Sequence, residues 1–142
     1  MNIIILEDDD NRIEKFVSLF PSAQIVKTAK ECIEILDRQV GAREDAPVEQ
    51  LARSNKGNKP CDRLFLDHDL GGEIYVDTNY SNTGSEVVRW IEKNKPDIKE
   101  IVVHSYNSSA VLMMMNALLK SGYNAQRIPF NYDWEVENEE RN

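Results

Sequence analysis

Three short stretches carry the residues whose types and spacing could do chemistry: Glu7-Asp8-Asp9-Asp10, Asp67-His68-Asp69 and His104-Ser105-Tyr106-Asn107. Each directly follows an apolar run: Ile3-Ile4-Ile5-Leu6, Leu64-Phe65-Leu66 and Ile101-Val102-Val103. Short continuous apolar runs read as strands buried on both faces. Polar residues just beyond them fall at the carboxyl edge of the sheet, where open parallel α/β folds bind ligands. Carboxylates gathered at such an edge need a cation or protons to offset their repulsion. The chain has 2 histidines, His68 and His104, and both follow predicted strands directly. An imidazole with a pKa near ~6.5 can serve as acid or base at neutral pH. In extended geometry Asp67 and Asp69 share one side and His68 points away.

Structural roles compete for several of these residues. Acids at a helix start complement its positive dipole end, which accounts for Asp9 and Asp10. It accounts less well for Glu7 and Asp8, which sit at the strand mouth before the helix begins. Ser105 is as suited to capping a helix as to touching an anion. The Met113-Met114-Met115 run reads as core packing, since Met fills irregular gaps. Tyr75 and Tyr80 read as loop anchors, with stacking on a base as the alternative.

The elements that must position these groups follow from the pattern between them. Ile13, Phe16, Val17 and Phe20 recur at helical spacing, and Pro21 stops that helix. Residues 24–27 make a short strand, and Thr28 with Glu31 fits a capping box for a helix carrying Ala29, Cys32, Ile33 and Leu36. Residues 41–60 are polar and punctuated by Gly41, Pro47, Gly57 and Pro60, and read as a surface insertion with one weak helical turn around Val48–Leu51. A second irregular stretch covers about residues 73–82. Thr83-Gly84-Ser85-Glu86 is another capping box, opening a helix with Val87, Val88 and Ile91 on its buried face. A strand at 100–103 leads to a helix capped by Asn107 or Ser108 and lined by Val111, Met114, Met115 and Leu118. Gly122 ends it, and a short last strand spans about 125–128. The acidic tail at about 133–142 leaves little room for another full helix. Strands alternating with helices imply a parallel sheet with right-handed crossovers and helices on both faces.

At 142 residues the chain suits one domain with a single core. With 41% hydrophobic and 30% charged residues it reads as folded and soluble. No apolar run approaches the ~20 residues that span a bilayer. Met1 leads straight into the first strand, which is no signal peptide. Cys32 and Cys61 lack a Cys-x-x-Cys partner and read as reduced structural thiols, which suggests a cytoplasmic setting. A net charge of −8 disfavours membranes and non-specific nucleic-acid binding. A small phosphorylated ligand stays open, because a bound cation reverses the local field.

The strand ends resemble a response-regulator receiver domain over about residues 3–130: Ile-Leu-Glu-Asp-Asp after the first strand, Asp67 after the third, Ser105 after the fourth and Pro129-Phe130 after the fifth. The resemblance implies a Mg²⁺-holding acidic pair at Glu7 and Asp8, a phosphoryl acceptor at Asp67 and a sensor at Ser105. It also shows departures. Ile128 stands where a receiver places its Lys, with Arg127 adjacent but not equivalent; His68-Asp69 follows the acceptor, and His104 precedes the Ser. Leu-Asp-His-Asp-Leu-Gly, Thr-Gly-Ser-Glu-Val-Val and His-Ser-Tyr-Asn with a Met-rich helix are similar to the cyclic-phosphate-processing receiver family. That resemblance implies a phosphoesterase acting on a cyclic phosphate.

The resulting expectation is a receiver-like, flavodoxin-type three-layer α/β domain over residues 1–142, with a five-stranded parallel sheet of order 2-1-3-4-5 and a reduced last helix. Its leading function is a metal-dependent phosphoesterase on a cyclic phosphate of an RNA end or nucleotide. Glu7, Asp8 and Asp67, with Asp69 nearby, would hold a divalent cation, Mg²⁺ or Mn²⁺, with several waters retained. Asp67, His68 and His104 would carry the catalysis, the histidines moving protons. Ser105, Asn107, Asp69 and Arg12 would contact the phosphorylated substrate. The alternative is a non-enzymatic atypical receiver or pseudo-receiver, a phospho- or partner-binding signalling module. A blander option is an acidic protein with an inert pocket that docks a macromolecule through its insertions. The histidines favour the enzyme, because a simple receiver has no use for them.

Overall fold

The computed structural model describes residues 1–54, 58–72 and 75–135. Its elements are β1 (Ile3–Leu6), α1 (Asp10–Leu19), β2 (Gln24–Val26), α2 (Ala29–Gln39), α3 (Val48–Arg53), β3 (Arg63–Leu66), α4 (Gly84–Asn94), β4 (Ile101–Val103), α5 (Ser108–Lys120) and β5 (Ala125–Arg127). The strands form one parallel sheet in the order β2-β1-β3-β4-β5. Fold class and strand order are as the sequence pattern predicts. Among the described residues no helix follows β5. The expected irregular stretches at 41–60 and 73–82 and the acidic tail fall partly outside the described residues, which exclude 55–57, 73–74 and 136–142. Among the described residues no helix is long and apolar enough to cross a membrane.

Side-chain alternation along the strands divides the core into two layers. Ile4, Leu6, Leu64, Leu66, Ile101 and Val103 face α2, α4 and α5, with Val87, Ile91, Met114 and Leu118 buried against them. Ile3, Ile5, Phe65 and Val102 face α1, where Phe16, Leu19 and Phe20 meet Phe130 from the segment after β5. The helix starts are capped as read from the sequence. Thr28 accepts from Glu31 N, Thr83 from Glu86 N and Asn107 from Ala110 N. Asn107, rather than Ser108, is therefore the cap of α5.

The residues at 41–60 are better anchored than their composition suggests. α3 is a full short helix, and its Gln50 and Arg53 both bind Asp37 of α2. Arg43 lies over the Tyr123 ring at 4.5 Å and donates to the Ser121 carbonyl.

One glycine is required where β3 gives way to the site. Gly84 opens α4, and its N–H donates to the His68 carbonyl at 3.1 Å. A Cβ there would lie 2.1 Å from the Asp67 carbonyl oxygen and 2.8 Å from Met114 Cε. The backbone oxygen has nowhere to go without shifting the strand end. Gly84→Ala should therefore destabilise the protein by about 2 kcal/mol or more, as overpacking of a tight contact does. Urea unfolding would measure the loss, and a variant as stable as the parent would refute the close-approach account.

Candidate functional site

The register of the sheet brings the chemical groups together. Leu6, Leu66 and Val103 occupy one row across β1, β3 and β4. The next row beyond the strand ends is therefore Glu7, Asp67 and His104, held by Asp67 N–H to Leu6 O and His104 N–H to Leu66 O. Neighbouring strands lie about 4.8 Å apart, and alternation turns all three side chains to the same face. Their ligand-capable atoms lie within 4.8 Å of one another, and all three residues are buried.

Each member of the row has assigned partners. Glu7 Oε2 accepts the backbone N–H groups of Asp8 and Asp9, at 3.1 and 3.2 Å. Glu7 Oε1 lies 3.0 Å from His104 Nε2 and 3.6 Å from an Arg12 guanidinium nitrogen. Asp67 Oδ1 accepts the His68 N–H at 2.9 Å. The His104 ring packs on Phe16, Phe65 and Phe130, at centroid distances of 5.1, 6.4 and 6.4 Å. Its Nδ1 is buried with no partner.

Burial dominates the electrostatics. It raises the Glu7 pKa against the lowering effect of its backbone hydrogen bonds and Arg12. It also pushes Asp67 up to about 7, with Glu7 adding to the rise and His104 opposing it. The same desolvation holds His104 down at about 4, so the imidazole is neutral at pH 7. In the tautomer carrying hydrogen on Nε2, His104 donates to Glu7. Two buried carboxylates beside a neutral imidazole are thus short of positive charge. A divalent cation supplies that charge in metal sites, and this donor set could bind one.

A cavity of about 960 Å³ opens above the row, lined by Glu7, Asp8, Asp67, Asp69, Arg12, Ser105, Asn107 and further residues. Seven of the nine expected site residues therefore share it. The other two, His68 and His104, do not line it, and each has 0% exposure. The expectation that histidines move protons at the substrate is corrected accordingly. Alternation sends His68 into the layer beneath α4 and α5, while His104 is sealed by aromatic rings.

The remaining roles also shift on inspection of partners. Asp8 was expected to complete a metal trio with Glu7 and Asp67, but His104 takes the third place. Asp8 Oδ2 instead accepts the N–H groups of Gly71 and Gly72, at 2.6 and 3.1 Å, and fixes the turn after β3. Both glycines have φ of +78°, a region where a Cβ is strained. Asp69 is a hub: its oxygens accept from His68 Nδ1 at 2.8 Å, Tyr75 N at 2.9 Å, Val76 N at 3.0 Å and Asn107 Nδ2 at 3.0 Å. Burial pushes its pKa up, yet these hydrogen bonds outweigh it and hold the carboxyl below its ordinary value. Asn107 is equally engaged, since Nδ2 also meets the Val76 carbonyl and Oδ1 caps α5. Asp69 and Asn107 thus build the wall rather than reach for substrate. Ser105 Oγ accepts the Asn107 N–H at 3.0 Å, which leaves its hydroxyl proton available.

Six further residues line the cavity, Asp9, Gly72, Tyr75, Tyr106, Ser108 and Arg127, of which only Tyr75 was weighed as a contact, through stacking on a base. Arg12 lies over the Tyr106 ring at 5.2 Å, and the Tyr106 hydroxyl donates to the Phe130 carbonyl. The adjacency of Tyr106 to Ser105 was the available signal for it. Arg127 stood beside Ile128 at the end of the last strand.

The family model for the cyclic-phosphate processing Receiver domain matches residues 3–120. The chain belongs to that family. No curated protein and no solved structure matches it. The cyclic-phosphate processing receiver match covers β1 to α5, including every residue of the buried row. The family is associated with cyclic-phosphate processing.

Two outcomes follow from the partners above. Asp69→Ala leaves the Asn107 amide and two backbone N–H groups without their acceptor, and should cost about 2–3 kcal/mol in urea unfolding. An unchanged midpoint would remove the hub role. For Asp67, a folded pKa raised from 3.8 to about 7 means that the folded state binds the extra proton within that window. Its contribution to stability is therefore lost as pH rises through it. Asp67→Asn, which mimics the neutral acid, should raise the melting temperature of metal-free protein at about pH 8 and leave it unchanged near about pH 4. Arg12 faces the position in both proteins, while Glu7 and His104 interact with Asp67, so the pH dependence of the difference reads the coupled row. An equal shift at both pH values would contradict the raised pKa.

Proposed function

We propose that this chain is a metal-dependent phosphoesterase that hydrolyses a cyclic phosphate on an RNA end or nucleotide. The observation that carries this reading is the buried Glu7–Asp67–His104 row at the floor of a cavity that also presents Arg12 and Ser105. Glu7, Asp67 and His104 would hold the cation, with Asp8 at the rim. The two carboxylates suit Mg²⁺ or Mn²⁺. When bound, the ion would neutralise phosphate charge and make a water more acidic.

The remaining chemistry belongs to the side chains. Water adds to phosphorus, one ring P–O bond breaks, and the freed alkoxide takes a proton. Asp67 is the titratable group in reach of the reacting atoms. Its carboxylate accepts the water proton and returns it to the leaving oxygen. Ser105 donates its hydroxyl to a phosphate oxygen, and Arg12 supplies positive charge from the α1 side. His104 would hold the cation through Nε2 only in the tautomer that carries hydrogen on Nδ1; in the tautomer with hydrogen on Nε2 it positions Glu7 instead. His68 acts only through Asp69.

The non-enzymatic receiver reading has less support. A phosphorylated Asp67 would need a cation in the same row, and the residue next to His104 in that row is Ile128. It lines a small apolar groove with Phe65, Val102 and Trp134.

The test is incubation with Mg²⁺ or Mn²⁺ and a panel of 2′,3′-cyclic, 3′,5′-cyclic and ADP-ribose-type cyclic phosphates, with a small phosphodonor as a separate arm. We expect metal-dependent turnover of one class. Asp67→Asn should lower it by about 10²-fold or more, and His104→Ala by about 10- to 100-fold through weaker metal affinity. No turnover of any compound by the parent protein would overturn the reading. Stable phosphorylation of Asp67 without turnover would replace it with the receiver alternative.

A further inference from the structure

The cavity carries more negative than positive charge. Its walls include Glu7, Asp8, Asp9, Asp67 and Asp69 against the guanidinium groups of Arg12 and Arg127. Arg12 is already engaged, 3.6 Å from Glu7 and stacked at 5.2 Å on both Tyr106 and Phe130. Arg127 is exposed at the end of β5, and among the described residues no group pairs with its guanidinium. It lies beyond residue 120, where the family match ends.

Sheet register explains why this position, and not the next, faces the cavity. Arg127 pairs with Val103, and Ile128 N–H donates to the Val103 carbonyl. Ile128 therefore continues the row of Glu7, Asp67 and His104 but turns into the apolar groove beside Trp134. Arg127 alternates to the opposite side, toward Ser105, Tyr106 and Ser108 on the wall that ends in α5.

We infer that Arg127 binds a non-bridging phosphate oxygen of the substrate, from the α5 side and across the cavity from Arg12. The inference rests on the phosphoesterase reading and names a residue for it outside the matched family segment. A guanidinium suits the task, because it stays charged and can offer two parallel N–H donors to one phosphate. Its contact is present in both bound substrate and transition state, so its loss falls mainly on KM.

The test compares the full chain with Arg127→Gln and Arg127→Lys in Mn²⁺, on the cyclic phosphate that the parent protein turns over. Arg127→Gln should lower kcat/KM by about 10- to 100-fold, chiefly through KM, and weaken inhibition by inorganic phosphate in parallel. Arg127→Lys should retain part of the activity, and added guanidinium should restore part of it to Arg127→Gln. The side chain is exposed, so melting temperatures should match within about 2 °C. A kcat/KM of Arg127→Gln within twofold of the parent would overturn the inference and leave the phosphoesterase reading standing. If the parent turns over no cyclic phosphate, that reading fails first. Calorimetric titration of inorganic phosphate with Mn²⁺ then decides Arg127: equal affinity for parent and Arg127→Gln overturns the inference, and about tenfold weaker binding by the variant supports it.

Discussion

Two carboxylates and an imidazole buried in one row of a parallel sheet set the terms for everything around them. Glu7, Asp67 and His104 cannot avoid one another, because each is the first residue beyond its strand in adjacent, in-register strands. A charge removed from water without a partner costs several kcal/mol, so the surroundings must answer it. The backbone does so first. The N–H groups of Asp8 and Asp9 turn onto Glu7, which shapes the entry to α1. The first turn of α1 then presents Arg12 to the same carboxylate. Phe16, Phe65 and Phe130 close over His104, which keeps the imidazole neutral and its Nε2 aimed at Glu7. What remains is an excess of negative potential facing an open cavity, the condition under which a cation or a proton is taken up.

A second layer of polar residues holds that cavity open. Asp8 and Asp69 each spend their oxygens on backbone and side-chain donors of the loops that follow β3. Through Asn107, Asp69 also ties those loops to the start of α5. The chemistry is thus divided by depth. Residues in the buried row interact with charge, while residues one or two positions later fix geometry. His68 belongs to the second group, since its Nδ1 meets Asp69 and the rest of the ring is sealed in the core.

How much of this was legible in the sequence depends on the range of the interaction. The parallel sheet and the carboxyl-edge location follow from apolar runs, caps and crossover rules, and the strand order follows from the receiver resemblance; the sheet and its order hold in the structure. The grouping of Glu7 with Asp67 was legible for the same reason. The joining of His104 to them required the register, which apolar runs of three or four residues do not specify. Orientation was harder still. Alternation sends His68 away from Asp67, but the loop brings its Nδ1 to Asp69 at 2.8 Å, which strand geometry does not foresee. The partners of Asp8 and Asp69 were not legible because most are backbone N–H groups of irregular loops, which leave no residue-type signal. Residues 48–51 were read as one weak turn, while the helix runs from Val48 to Arg53 with Gln50 and Arg53 bound to Asp37.

On the proposed reading, the same row sets this chain apart from a phosphorylation switch. A switch needs a cation beside the acceptor and a hydroxyl free to reorient when the acceptor becomes charged. Here the row runs from His104 to Ile128, and the isoleucine lines a separate groove with Phe65, Val102 and Trp134, so this row position itself carries no cation. Ser105 Oγ accepts the Asn107 N–H, and Asn107 is fixed by Asp69, Val76 and the first turn of α5. Moving that hydroxyl would disturb the helix cap and the loop wall together. A preorganised donor of this kind suits a site that stabilises charge as it develops, because no reorganisation is then needed during the reaction. On the proposed reading, the constraint that would make Ser105 a poor sensor is the one that would make it a good phosphate donor.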